Sequence, residues 1–143
     1  MNKTYIPKAK QINRIWYLAD AKDQILGRLA VRVARILRGK HKPDFCSHMD
    51  TGDGVIIINA SKIKVTGRKL KQKSYLRYSG YPGGLRAVIL SDFIKKKPQV
   101  VVKLAIKRML PKGSLGRKIF RKLKVYSGEV HPHIGQNPKI IKL

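Results

Sequence analysis

The side chains able to do chemistry in this chain are overwhelmingly cationic. Its 143 residues include 33 Lys+Arg against 7 Asp+Glu, a formal net charge of +26. A small soluble domain usually carries a net charge of roughly 2–8. The excess opposes folding by self-repulsion and demands a polyanionic partner. Residues 1–53 hold 11 basic and 5 acidic side chains, whereas residues 54–143 hold 22 basic and only Asp92 and Glu129 as acids. In that second part basic and apolar residues alternate at regular spacings, unlike a detachable lysine-rich arm. Arg grips phosphate through two parallel hydrogen bonds and stacks on planar groups, while Lys supplies a point charge. Phosphate neutralisation is therefore the expected chemistry, with nucleic acid favoured over an anionic membrane.

Other chemistries have thinner support. Asp50-Thr51-Gly52 matches the tripeptide of aspartic proteases, but that reaction needs two carboxylates sharing a proton, and a single copy is present. Asp50 and Asp53 are expected to shape a turn before a strand, with Asp50 able to hold a neighbouring basic group. Neither a P-loop nor a dinucleotide-binding glycine pattern occurs. Gly113-Ser-Leu-Gly116-Arg117-Lys118 suits a backbone phosphate at a helix start better than a nucleotide. His41, Cys46 and His48 lie close in sequence, as do His131 and His133, without a C-x-x-C pair; no metal or other cofactor is expected. With one cysteine, no intrachain disulfide forms and a reducing compartment is favoured. No apolar run approaches the ~20 residues of a membrane helix, and the opening MNKTYIPKAKQINR lacks the apolar core of a secretory signal.

Alternating elements must position these groups. Trp16–Asp20 reads as a strand. Leu26–Arg38 reads as an amphipathic helix, with Leu26, Leu29, Ala30, Val33 and Leu37 on one side and Arg28, Arg32 and Arg35 on another. Gly39 is placed to close it, and Pro43 prevents its resumption. Val55–Ile58 is a continuous apolar run, the pattern of a strand buried on both faces in a helix-covered parallel sheet. Lys62–Lys73 is basic and turn-prone, followed by a strand over Tyr75–Tyr78 and a loop at Ser79–Gly84. Ser91 can cap a helix over Asp92–Lys96, and Pro98 suits the first turn of another running to Leu110. The β-branched Val100–Val102 leaves strand open there. Ser114 is expected to cap a helix carrying Leu115, Ile119 and Leu123. From Ser127 the chain is expected to wrap the surface. Tyr78 and Tyr81 suit either base stacking or packing. With 43% hydrophobic residues the chain can bury a core, and one α/β domain is the economical answer.

In this order and spacing the motifs resemble the large-subunit ribosomal protein thirteen family, in its bacterial or organellar form. The carriers are Leu26-Gly-Arg-Leu-Ala30, Gly39-Lys-His-Lys-Pro43, Asp50-Thr-Gly-Asp53, Asn59-Ala60, Thr66-Gly67 and Ser79-Gly-Tyr-Pro-Gly-Gly84. Further along stand Met109-Leu-Pro111, Leu115-Gly-Arg117, Lys122-Leu-Lys-Val-Tyr126 and His131-Pro-His133. The resemblance implies a three-layer α/β/α fold with a four-stranded, mainly parallel sheet. It further implies a structural, non-catalytic constituent that binds and organises large-subunit rRNA early in assembly. Neighbouring large-subunit proteins are then partners, and neither a membrane nor a small-molecule substrate is expected. The Lys- and Ile-rich usage fits a ribosome in the bacterial cytoplasm or the plastid stroma.

Charge pattern and resemblance together mark the residues expected to face rRNA. Arg32, Arg35 and Arg38 come from the first helix, and Lys40, His41 and Lys42 from the turn after it. Arg68 and Lys69 lie in the basic stretch, and Tyr78, Gly80, Tyr81, Gly83 and Gly84 at the glycine-rich loop. Lys112, Arg117, Lys118, Arg121, Lys122 and Lys124 follow, then His131 and His133. Residues 1–143 form a single domain on this reading, with a basic extension over 1–15 and a wrapping tail over 127–143. Two positions depart from the family pattern: Arg108 stands where glycine is common, and Gly54 replaces a bulkier residue before the strand. The tail over 136–143 is also more basic than the common ending.

Overall fold

Two segments with opposite periodicities build the core. The 13-residue helix α1 (Leu26–Arg38) buries Leu26, Leu29, Ala30, Val33, Ala34, Ile36 and Leu37. The strand β2 (Gly54–Ile58) has its first four residues buried. In the computed structural model, which describes residues 6–8 and 12–141, β2 lies at the centre of a four-stranded sheet. Its neighbours are β1 (Trp16–Asp20) and β5 (Leu123–Val125), and β6 (Lys139–Ile141) pairs with the far side of β1. The order is β5-β2-β1-β6, and each pair is parallel.

Register sorts the side chains into two faces. Ile57 lies between Ala19 and Val125, and Val55 between Tyr17 and Leu123. These residues join one apolar cluster with α1 and with Val101, Val102 and Ile106 of α4 (Pro98–Lys107). Ile56, wholly buried, points to the other face. On that face Trp16 stacks on His133 with ring centroids 6.4 Å apart. The sheet is thus the middle of a three-layer α/β fold whose second covering layer is thin, formed in part by His133 of the C-terminal segment.

Gly54 is explained by the same register. It stands opposite Trp16, and a Cβ there would lie 2.4 Å from the indole ring. The large residue at this step is supplied by β1 instead of β2. Gly39 closes α1 with φ 83°, its N–H bonded to the Ile36 carbonyl at 3.0 Å. This is the left-handed cap that glycine adopts without steric cost.

The stretch after β2 leaves the sheet. A short helix α2 (Lys69–Gln72) leads into an antiparallel hairpin, β3 (Ser74–Tyr78) with β4 (Leu85–Ile89), which runs directly into α3 (Leu90–Lys96). α4 follows, then α5 (Ser114–Arg121). Val100–Val102 is helical, and α4 ends at Lys107 rather than Leu110.

Three further expectations need correction. Ser91 does not cap α3: the helix begins at Leu90, whose N–H is satisfied by the Lys73 carbonyl at 2.8 Å. Ser114 is the first residue of α5, not its cap, and Gly113 precedes it at φ 107°. Leu123 is buried as expected, but in β5 instead of α5. The helix stops because β2 captures the chain there, with Val55 N–H bonding the Lys122 carbonyl at 3.1 Å. Of the extension expected over 1–15, residues 1–5 and 9–11 lie outside the described residues. Beyond Ser127 the chain is mostly exposed until it returns to the sheet as β6.

Candidate nucleic-acid interface

The turn between α1 and β2 gathers cations around two carboxylates. Asp53 is fully buried. Its Oδ1 accepts from the Ile15 N–H at 2.9 Å and from the Lys42 ammonium at 2.6 Å. Its Oδ2 lies 2.8 Å from His41 Nε2, and an acceptor-only carboxylate requires that nitrogen to donate. Lys42 also donates to the Asn13 carbonyl at 2.8 Å. Next to this centre, Lys122 reaches back from the end of α5 to donate to Asp50 and, at 2.8 Å, to the Gly52 carbonyl. Arg14 pairs more loosely with Asp50 at 3.7 Å. Burial pushes the Lys122 ammonium below its ordinary pKa, and the hydrogen bond and charge of Asp50 oppose that shift. His41, Lys42 and Lys122 are therefore engaged by carboxylates of the fold.

The C-terminal histidines are engaged as well. His133 Nε2 is 2.8 Å from the Tyr126 hydroxyl, and the ring stacks on Trp16. His131 Nδ1 accepts from the His133 N–H at 3.2 Å. Lys124 is half-buried in β5.

The remaining expected cations stand free. Arg32, Arg35 and Lys40 are exposed around α1 and its end, with Arg38 half-buried beside them. Arg68 and Lys69 are exposed at α2, and Lys112, Arg117, Lys118 and Arg121 are exposed around α5. Among the described residues none of these pairs with a carboxylate. They lie on α1, α2 and α5 and the turns beside them, and Lys112, Arg117 and Arg121 line one recess together with Lys107 and Arg108.

The hairpin makes a separate projection. Tyr78 and Tyr81 are 63% and 76% exposed, so they are not packing residues. Gly80 and Gly83, at φ 94° and 72°, turn the chain between them, and the Gly84 N–H closes the turn on the Tyr81 carbonyl at 2.9 Å. Gly84 itself is half-buried against Ser79. One face of the ribbon aligns Leu76, Tyr78, Leu85 and Ile89, all exposed. The other places Arg77 directly opposite Arg86. Like charges so placed repel, and an anion between them relieves the repulsion. At its base Tyr75 packs edge-on to Phe93, with the Arg108 guanidinium 5.7 Å from its ring centroid. Burial there pushes the Tyr75 hydroxyl pKa up, partly offset by Arg108.

Sequence reasoning passed over Arg77, Arg86 and Lys107, and noticed Arg108 only as a departure from the family pattern. The signal for the first two was weak: a glycine-rich loop stands between two short runs, SYLRY and LRAVI, but neither run alternates cleanly. Among the described residues no group of three His, Cys, Asp or Glu side chains is placed to hold a metal ion. No described helix is long and apolar enough to cross a membrane.

Comparison with known proteins supplies a frame for this surface. The model of the family described as ribosomal protein L13 matches residues 14–132. The chain is 53% identical to large ribosomal subunit protein uL13 of Synechococcus elongatus, over all of this chain and 95% of that protein. It is 53% identical to the uL13 of Symbiobacterium thermophilum over the whole of both chains. With the uL13 of Desulfovibrio desulfuricans the identity is 52%, covering 99% of this chain and 98% of the relative.

Proposed function

The chain belongs to the ribosomal protein L13 family, and on that premise we propose how its surface serves as a structural constituent of the large ribosomal subunit. Its role is to bind and organise large-subunit rRNA, beside neighbouring large-subunit proteins, and it carries out no catalysis. The family's early place in subunit assembly fits a small fold that presents charge before other proteins cover the RNA.

The observation that carries the mechanism is the division of its cations. Those beside Asp50 and Asp53 are neutralised within the fold, and they hold the α1–β2 turn and the start of β5 in place. Those on α1, α2 and α5 have no carboxylate partner among the described residues and are left for phosphate. Arg32, Arg35, Lys40, Arg68, Lys69, Lys112, Arg117, Lys118 and Arg121 form this contact set in our reading. Arg77 and Arg86 join it on one face of the hairpin, and Tyr78 and Tyr81 stand at its end, exposed enough to stack on unpaired bases. His41, Lys42, Lys122 and His133 support the surface from within.

Affinity for a large-subunit rRNA fragment, measured across a salt series, tests the proposal. Each phosphate neutralised adds roughly 0.7–0.9 to the magnitude of the slope of log affinity against log salt. A slope of several units is expected. A slope near zero overturns the mechanism, and absence of the chain from large subunits sedimented at physiological salt overturns the structural role.

A further inference from the structure

The corner between α4 and α5 encloses a cavity of about 640 Å³, within the usual size range of a small-ligand site. Its apolar lining comes from Leu104, Leu110, Pro111 and Phe120, all buried or half-buried. Its rim carries Lys107, Arg108, Lys112, Arg117 and Arg121, and no acid lines it. None of the five has an ion-pair partner among the described residues. The cavity owes its shape to close packing at one edge: a Cβ on Gly116 would lie 1.8 Å from the Pro111 carbonyl oxygen. The Lys107 ammonium lies 6.0 Å from the Phe120 ring centroid.

A backbone-tracking surface has no use for such a recess. Phosphates are met by exposed cations, and a hydrated sugar–phosphate chain gains nothing from an apolar floor. A planar base does gain from it, because stacking on an aromatic side chain is sequence-tolerant and favourable. The charge around the mouth selects the occupant further. Five cations without an acid fit a polyanion, and they oppose a cationic protein segment.

We propose that this cavity receives one unstacked nucleotide of the rRNA, its base against Phe120 and Leu104 and its flanking phosphates on the cationic rim. The inference rests on the rRNA-binding reading above and deepens it. It turns part of an electrostatic surface into a local socket for a bulged or looped base.

The test uses the full chain and a large-subunit rRNA fragment, with affinity measured across a salt series. Phe120→Leu keeps the apolar volume and removes the ring; it is expected to weaken binding about tenfold with the salt slope unchanged. Arg117→Ala is expected to lower the slope by roughly 0.7–0.9. If Phe120→Leu binds as the unaltered chain does while the slope stays steep, the socket is wrong and rRNA binding stands. If the unaltered chain shows no salt-dependent binding, the underlying reading itself fails. Should Phe120→Leu fail to fold, ultraviolet cross-linking of the unaltered complex decides. A base cross-linked to a residue lining the cavity supports the socket. Cross-links confined to other surfaces, or cavity contacts made only with a neighbouring protein in the intact subunit, overturn it.

Discussion

The α1–β2 turn and the α4–α5 corner use the same residue types for opposite ends. In the turn, His41 and Lys42 converge on Asp53, a carboxylate with no exposure to solvent. At the corner, Lys107, Arg108, Lys112, Arg117 and Arg121 converge on an apolar recess with no carboxylate at all. A cation beside a buried acid is part of the scaffold, because leaving either charge unpaired in that setting is costly. A cation beside an apolar floor has its charge unspent, and the missing partner has to come from outside. With only 7 acids for 33 basic residues, the placement of each acid decides which cations are withdrawn from the surface.

The largest effect that bears on this contrast is on stability. Asp53→Ala removes the acceptor for Ile15 N–H, Lys42 and His41 together. It is expected to lower unfolding free energy by about 3 kcal/mol, read as a drop in urea midpoint. Lys42 and His41 retain partial access to water, which limits the cost. If Asp53→Ala left stability unchanged but lost rRNA affinity, the turn would be part of the interface and the contrast would collapse.

A smaller effect concerns binding. The double substitution Arg117→Ala with Arg121→Ala is expected to reduce the magnitude of the salt slope by roughly 1.4–1.8, two phosphate contacts' worth. Lys42→Met is expected to leave that slope unchanged, because its ammonium is already paired with Asp53. Equal losses from both variants would show that the paired lysine also reaches phosphate.

The smallest effect is a pH dependence at Lys122. Its folded pKa is lowered by burial from an ordinary value of 10.5. Between the folded value and 10.5, the unfolded chain binds more protons than the folded one, so stability from this group rises with pH. Below the folded value the group is charged in both states and contributes no slope. Lys122→Arg keeps the charge at all these pH values and is expected to lose that rise. Urea midpoints of the two proteins, compared from neutral pH up to 10.5, check the difference. Subtraction cancels Tyr75, whose raised pKa acts in the opposite sense because its stabilisation is lost as pH climbs above 10.

Much of this molecule was readable from local pattern. β1 and α1 occupy the spans expected, and the Val55–Ile58 run lies within β2, because each has enough residues to display its period. The three-residue strands β5 and β6 are too short to show one. They are strands only because β2 and β1 offer open edges, with Val55 pairing to Leu123 and Tyr17 to Lys139. Leu123 shows the division well: its apolar character announced burial, and the pairing partner chose the element. β4 was hidden for a related reason, since Leu85–Ile89 pairs only with β3 and packs too little to need a clean alternation.

The sequence by itself determined that this chain carries a folded, basic α/β surface and that its counter-charge must be a polyanion. Composition and periodicity are local properties, and they survive without knowledge of which residues meet. Tertiary structure alone decided which cations are available to that partner. Asp50 withdraws Lys122 across 72 positions, and Phe120 becomes the floor of a recess only where α5 closes against α4. Such pairings depend on distances created by folding, and electrostatic and packing energies fall off too steeply for sequence proximity to stand in for them.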